Sequence, residues 1–302
     1  MSAVYVVDGY DLISPESLGG VRLDLQKDLG SMRGWACGTI LEAHYPQLFP
    51  FRDHQLFHFS DHCHRLWESA ERLRIPFWAS KSALEWVVTK EVRKVGFSDS
   101  LVSVRISRGL TDDSVNPSAF FCNRALLFVS VFQGQHHTAP IRLVSQEYRR
   151  EYPDTKHTNY LFAELEYQEL FLKKIDEILY LDPDSRAVLE CARKNIGFVF
   201  PNEFILPPAG DILEGITMKI MMRLASKNGF PVVRRSIRYD DLLTIVRDGG
   251  SMIAMSTTGV VPVEELDGIQ IPTNENASEL CDAFNAYRLE YYESGGVNEI
   301  KP

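Results

Sequence analysis

The chain is short of the features that mark secreted, membrane and nucleic-acid-binding proteins. Its five cysteines (Cys37, Cys63, Cys122, Cys191, Cys281) are odd in number, scattered and without C-x-x-C spacing. That pattern gives neither a disulfide framework nor a zinc site, and it suits a reducing, cytoplasmic compartment. No uninterrupted apolar segment approaches the ~18 residues of a membrane span. The stretch Met1–Gly9 reads as a strand entering a turn rather than as a signal peptide. Positive charge is in deficit, with 32 Lys and Arg against 41 Asp and Glu for a net charge of −9. With no Lys/Arg block either, nothing points to a nucleic-acid partner. The pairs Arg149-Arg150 and Arg234-Arg235 read as solvated faces near acidic neighbours. His136-His137 has no carboxylate at ligand spacing, so no metal is expected. Internal repeats and low-complexity tracts are missing as well.

What remains is an ordinary folded chain, 45% hydrophobic and 24% charged over 302 residues, long enough for two domains. The linker-like segment 133–140 suggests an N-terminal domain over 1–132 and a C-terminal domain over 141–302. In the first part, residues 1–13 read as strand and turn, Asp24–Gly38 as a glycine-punctuated loop and Thr39–Ala43 as a strand. Phe57–Ile75 has helical spacing with Ser60 or Asp61 as cap, Ser82–Val95 is a second helix, and Leu101–Arg108 and Ala125–Phe132 are strands. The second part alternates helix and strand. Helices are expected at Leu161–Lys173, Ile216–Lys227 (closed by Asn228-Gly229), Tyr239–Val246 and Ala277–Tyr292. Strands are expected at Glu177–Leu181, Val188–Glu190, Ile196–Phe200, Phe204–Leu206, Val232–Ile237, Met252–Met255 and Val260–Val263.

Several residues in this order suit the parts of one cofactor. Lys156 lies in a Pro-marked turn, Tyr152-Pro153-Asp154-Thr155-Lys156, just ahead of a helical run. Glu190 ends a strand, where a carboxylate can keep a pyridine nitrogen protonated. Gly215-Ile216-Thr217 opens a helix whose first N–H groups, with the Thr217 hydroxyl, make an anion site. Ser256-Thr257-Thr258-Gly259 adds hydroxyls in a turn, and Arg65 offers a fork of donors. An amine, a ring-facing carboxylate and a phosphate cradle are what pyridoxal 5′-phosphate requires.

The chain resembles the class-IV pyridoxal phosphate aminotransferases, the group of the branched-chain and D-amino-acid aminotransferases and aminodeoxychorismate lyase. Lys156-His157-Thr158-Asn159-Tyr160-Leu161 is similar to the family's Schiff-base segment, and Glu190 to Asn195 to its Glu-Gly-x-x-x-Asn pattern. Leu213-Glu214-Gly215-Ile216-Thr217 resembles its Leu-x-Gly-Ile-Thr phosphate turn, and Ser256 to Val263 its loop ending in Pro-Val. Asp61-His62-Cys63-His64-Arg65-Leu66 resembles its Glu-His-x-x-Arg-Leu helix. The resemblance implies an α/β (α+β) fold of two domains, the smaller N-terminal and the larger, with a β-barrel-like core, C-terminal and carrying Lys156. It implies a ping-pong aminotransferase acting on an amino acid or amine and a 2-oxo acid, and a homodimer. Lys156 would be the catalytic lysine. Arg65, Tyr160, Glu190, Asn195, Ile216, Thr217, Thr257 and Thr258 would bind the cofactor, and Trp35, Cys37, Arg108 and Thr258 the substrate.

The match is weakest around the substrate. The family's Gly-Asp-Gly-Val-Phe-Glu becomes Arg33-Gly34-Trp35-Ala36-Cys37-Gly38 before Thr39, and Cys191 replaces a glycine. A lyase of the aminodeoxychorismate type is the alternative. The loop Leu110–Ser114 lacks the glycine- and arginine-rich run of that branch, and Tyr160 leans toward transamination.

Overall fold

The computed structural model describes residues 2–8, 11–13, 36–44, 55–109 and 125–295. Within it the chain forms two compact units: Met1–Gln135 with Thr155–Asn159 and Tyr291–Pro302, and His136–Asp154 with Tyr160–Glu290. A linear division at 133–140 leaves out two returns of the chain, and one of them carries Lys156.

In the first unit, an antiparallel sheet is built from β1 (Ser2–Asp8), β2 (Asp11–Ile13), β3 (Ala36–His44), β4 (Gln55–Leu56), β5 (Asp99–Ser107) and β6 (Leu126–Gln133). Its order is β2-β1-β6-β5-β3-β4. Helices α1 (Phe59–Arg72) and α2 (Lys81–Val95) share a core with it. Buried positions Phe59, His62, Cys63, Leu66, Ser69 and Ala70 recur at helical spacing, which gives α1 one inward face. Its start corrects the expectation of a Ser60 or Asp61 cap. His58 is the cap residue, in the left-handed region at φ 47°, and no side chain caps the helix. The cause is tertiary: the His58 N–H donates to the Tyr291 hydroxyl (3.0 Å) and the His58 and Tyr291 rings stack at 4.8 Å. Asp61 meets the His58 imidazole instead, at 2.7 Å. Helix α2 follows local rules, with Ser80 accepting from Ala83 N–H and Gly96 closing it at φ 73°.

The second unit holds a sheet of β7 (Ile141–Glu147), β8 (Glu177–Leu181), β9 (Val188–Cys191), β10 (Asn195–Val199), β11 (Phe204–Leu206), β12 (Val232–Arg234), β13 (Ser251–Ser256), β14 (Gly259–Leu266) and β15 (Ile269–Gln270). The order is β12-β11-β10-β13-β14-β7-β8-β9, with β15 on β14. The sheet curls, because β9 passes into β10 through a turn closed by Cys191 N–H to Lys194 O (2.8 Å). Strand β7, parallel to both β8 and β14, was not expected from sequence. Helices α3 (Leu161–Leu170), α4 (Ile216–Lys227), α5 (Leu242–Arg247) and α6 (Glu275–Glu293) complete the unit, the last residues of α6 belonging to the first. Helix α4 has the expected bounds, and Gly229 follows it at φ 82°. Among the described residues no helix is long and apolar enough to cross a membrane.

Candidate functional site

In the first unit, the segment around Lys156 returns to the end of β3 as a strand-like edge. Gly38 N–H donates to Lys156 O (3.0 Å), Thr158 N–H donates to Ala36 O (3.0 Å), and Cys37 and His157 form an antiparallel bridge. A side chain at Gly38 would stand 2.7 Å from the Val104 carbonyl oxygen, so only glycine lets the strands approach this closely. From the other side, Lys156 N–H donates to Ser69 Oγ on α1 (3.3 Å). The lysine backbone is therefore held by both β3 and α1.

One turn earlier on α1, Arg65 Nη2 donates to Thr39 Oγ1 (2.8 Å), which also meets His62 Nδ1 (2.6 Å). Burial holds the His62 pKa well below its usual value, with Arg65, His58 and Lys156 adding to the effect. His62, Arg65 and Ser69 lie on one side of α1, so the helix places Arg65 and Lys156 by the same face.

In the second unit, Glu190 at the end of β9 is buried among donors. Arg150 gives its carboxylate two bonds at Oε1, from Nε (3.0 Å) and Nη2 (2.6 Å). Asn195 Nδ2 and Leu213 N–H reach Oε2 at 3.2 Å each. Arg150 Nη2 also donates to Pro153 O (2.6 Å), tying the carboxylate to the turn that leads toward Lys156. Burial works against the Arg150 charge, but Glu190, Tyr160 and the hydrogen bonds to Glu190 outweigh it, so its pKa rises. Tyr160 thus stands within electrostatic reach of this pair.

Asn195 also donates to Leu213 O (2.8 Å), fixing the turn before α4. A Cβ on Gly215 would fall 2.1 Å from Asn195 Oδ1, so the turn closes around that amide only with glycine there. Gly215 caps α4 without a side-chain bond. The N–H groups of the first turn, at Ile216 and Thr217, have no intrahelical acceptor. Thr217 is buried beside them. In the turn between β13 and β14, Thr257 and Thr258 are half-buried. Lys194 Nζ donates to Ser256 Oγ (3.2 Å), which pairs with Thr258 Oγ1 (2.9 Å), and burial lowers the lysine's pKa.

Two expectations are corrected. Cys37, expected to line a substrate pocket, is wholly buried in the first core, and burial pushes its thiol up to about 12. The sheet's alternation turns it inward, leaving no surface for a ligand. Arg150, read as a solvated charge, is buried; Arg149 alone behaves as expected, half-exposed and paired with Asp182 and Asp211. Arg108 Nη1 donates to the Arg74 carbonyl (2.5 Å) within the first unit. Trp35 and the loop at 110–114 lie outside the described residues. Sequence reading missed Thr39, His62 and Arg150. For His62 the signals were its helical spacing to Arg65 and its place as the histidine of the Glu-His-x-x-Arg-Leu resemblance, and for Arg150 there was none to separate it from Arg149.

Comparison with known proteins shows the family and the fold. The family model described as amino-transferase class IV matches residues 48–266. A protein of Methanocaldococcus jannaschii, provisionally assigned as a branched-chain-amino-acid aminotransferase, is 27% identical over 236 residues, covering 76% of this chain and 80% of that one. The D-alanine aminotransferase of Listeria innocua is 24% identical over 254 residues, 81% of this chain and 86% of its own. The fold is shared with the crystal structure of a branched-chain aminotransferase from Thermoproteus uzoniensis with norvaline, at TM-score 0.77 and 20% identity, covering 97% of this chain and 96% of that chain. With the family model spanning well over half of its length, the chain is a member of the class IV aminotransferases.

Proposed function

We propose that the chain is a pyridoxal 5′-phosphate-dependent aminotransferase that moves an amino group between an amino acid or amine and a 2-oxo acid by a ping-pong mechanism. The observation that carries this reading is the anchoring of Lys156. A surface lysine has no need of backbone bonds to β3 on one side and to Ser69 on the other. The donor set also fits the cofactor: an uncapped helix N-terminus with Thr217 for a phosphate dianion, and a buried carboxylate for a ring nitrogen.

When bound, pyridoxal phosphate supplies an aldehyde that takes up the amino group and a ring that spreads the charge left by breaking the substrate Cα–H bond. In this reading Lys156 Nζ would hold the cofactor's aldehyde and would supply the base for the substrate Cα proton. Glu190 would hold the ring nitrogen, with Arg150 and Asn195 keeping its carboxylate in place. Tyr160 donates to the ring hydroxyl. Arg65, the Ile216 and Thr217 N–H groups, Thr257 and Thr258 serve the phosphate. Thr258, Arg108 and Trp35 serve the substrate. A homodimer and a cytoplasmic setting belong to the same proposal, and the four described cysteines are free and buried, as suits a reducing compartment.

The test is a half-reaction screen: add amines singly to the cofactor-loaded protein and follow the absorbance of the bound aldehyde. At least one amino acid should deplete it, and a 2-oxo acid should restore it. Lys156→Ala should lower turnover by about 10²–10⁴-fold from loss of the base alone. Pyruvate released without an added acceptor would identify a lyase of the aminodeoxychorismate type instead. A chain that takes up no pyridoxal phosphate would end the proposal.

A further inference from the structure

We propose that Thr39 and His62 act together as positioning residues for Arg65, holding its guanidinium in the orientation that grips the cofactor phosphate. This rests on the reading of Arg65 as a phosphate ligand. A guanidinium has only donors, so the 2.8 Å contact from Arg65 Nη2 makes Thr39 Oγ1 an acceptor. Thr39 Oγ1 also lies 2.6 Å from His62 Nδ1, and with the neutral ring protonated at Nε2 the single Thr39 hydroxyl proton goes to Nδ1. Burial, with Arg65, His58 and Lys156 adding to it, keeps the imidazole neutral. In that tautomer the bonds run one way, from Arg65 to Thr39 to His62, and each bond polarises the next. A protonated His62 would reverse the Thr39 hydroxyl and set a second cation beside Arg65.

The fold makes this a rigid support. Thr39 is fixed on β3 opposite Val104 of β5. His62 and Arg65 are three apart on α1 and share a face. Thr39 is 4% exposed and His62 2%, whereas Arg65 is only half-buried, so a buried polar pair stands at the base of a partly exposed fork. Leu41, Phe59, Cys63, Leu66, Val88 and Val104 line the space around Thr39 and His62. No polar side chain among them could replace a lost partner.

The experiment measures the affinity of the full chain, stripped of cofactor, for pyridoxal 5′-phosphate and for pyridoxal, which lacks the phosphate, with thermal melting alongside. Thr39→Val and His62→Met should weaken pyridoxal phosphate binding by about 10-fold or more and leave pyridoxal within about twofold. Thr39→Ser and His62→Gln, which keep a hydroxyl and an acceptor, should stay near the parent. Equal losses for both ligands, or none, would overturn the inference. Thr39→Val preserves side-chain shape and decides the matter if His62→Met does not fold. Arg65→Met separates the two possible failures. If it leaves the preference for the phosphorylated form intact, the phosphate role of Arg65 is wrong. If it removes that preference while Thr39→Val does not, only the positioning role falls.

Discussion

Arg150 and Glu190 form an ion pair whose side chains are 5% and 7% exposed, so neither charge can fall back on water when the other is removed. Arg150→Met should destabilise the protein by about 3–5 kcal/mol, the usual effect of stranding a buried charge. Urea denaturation measures it, and an Arg150→Met/Glu190→Gln double variant should recover part of the loss. A change below about 1 kcal/mol would mean that the carboxylate does not depend on this partner. His62 carries a pH prediction with a definite sign. Its folded pKa is depressed well below 6.5, whereas in the unfolded chain it titrates near that value. Between the two values the unfolded chain binds the extra proton. Stability should therefore fall as pH drops below about 6.5, by up to about 1.4 kcal/mol per pH unit from this group. Unfolding midpoints of the parent and of His62→Gln, taken from pH 7 to pH 5, should diverge, with the variant the less sensitive; parallel curves would show that His62 is not buried as a neutral ring. Arg149 and Arg150 are identical to any reading of composition. They differ because one side chain stays half-exposed and reaches Asp182 and Asp211 while the other turns inward to Glu190 and the Pro153 carbonyl.

Helix α4 is the element on which local signals and tertiary need agree. Its bounds, its glycine opening and its Asn-Gly close were all readable, because each obeys a rule acting within a few residues. The reason for Gly215 was not readable. Its φ of −65° is ordinary, so the requirement is space for the Asn195 amide and not backbone freedom. Gly215→Ala should displace Asn195, destabilise by about 1–3 kcal/mol through overpacking, and weaken binding of pyridoxal phosphate. Denaturation and a cofactor titration check both parts, and an unchanged variant would show that the turn has slack. Helix α1 presents the opposite case. Its apolar stripe was legible, but its first residue was not, since contact with Tyr291, more than two hundred positions away, decides where it begins.

At the scale of the molecule, three exposed leucines of the second unit lie on α3 or just beyond it. Leu161 and Leu165 are one helical turn apart and 67% and 56% exposed, with Leu172 just beyond at 84%. If a second copy covers this face, Leu161→Glu/Leu165→Glu should shift the protein from dimer to monomer in sedimentation. An unchanged mass would place any subunit contact elsewhere. The chain's returns also belong to this scale. The Lys156 segment lies beyond the linker in sequence, yet it closes on β3 of the first unit through backbone bonds that no spacing foretells.

Elements whose signals act over one or two turns were determined by the sequence alone: most of the strands, α2, α4 with its glycines, and the order of motifs that resembles the family's. Tertiary structure decided which side chains face one another. It turned Cys37 into a core, gave Glu190 its arginine, and set Thr39 and His62 under Arg65. Periodicity reports which face of an element is apolar, whereas pairing between faces depends on contacts between residues far apart in the chain, and no local pattern encodes those.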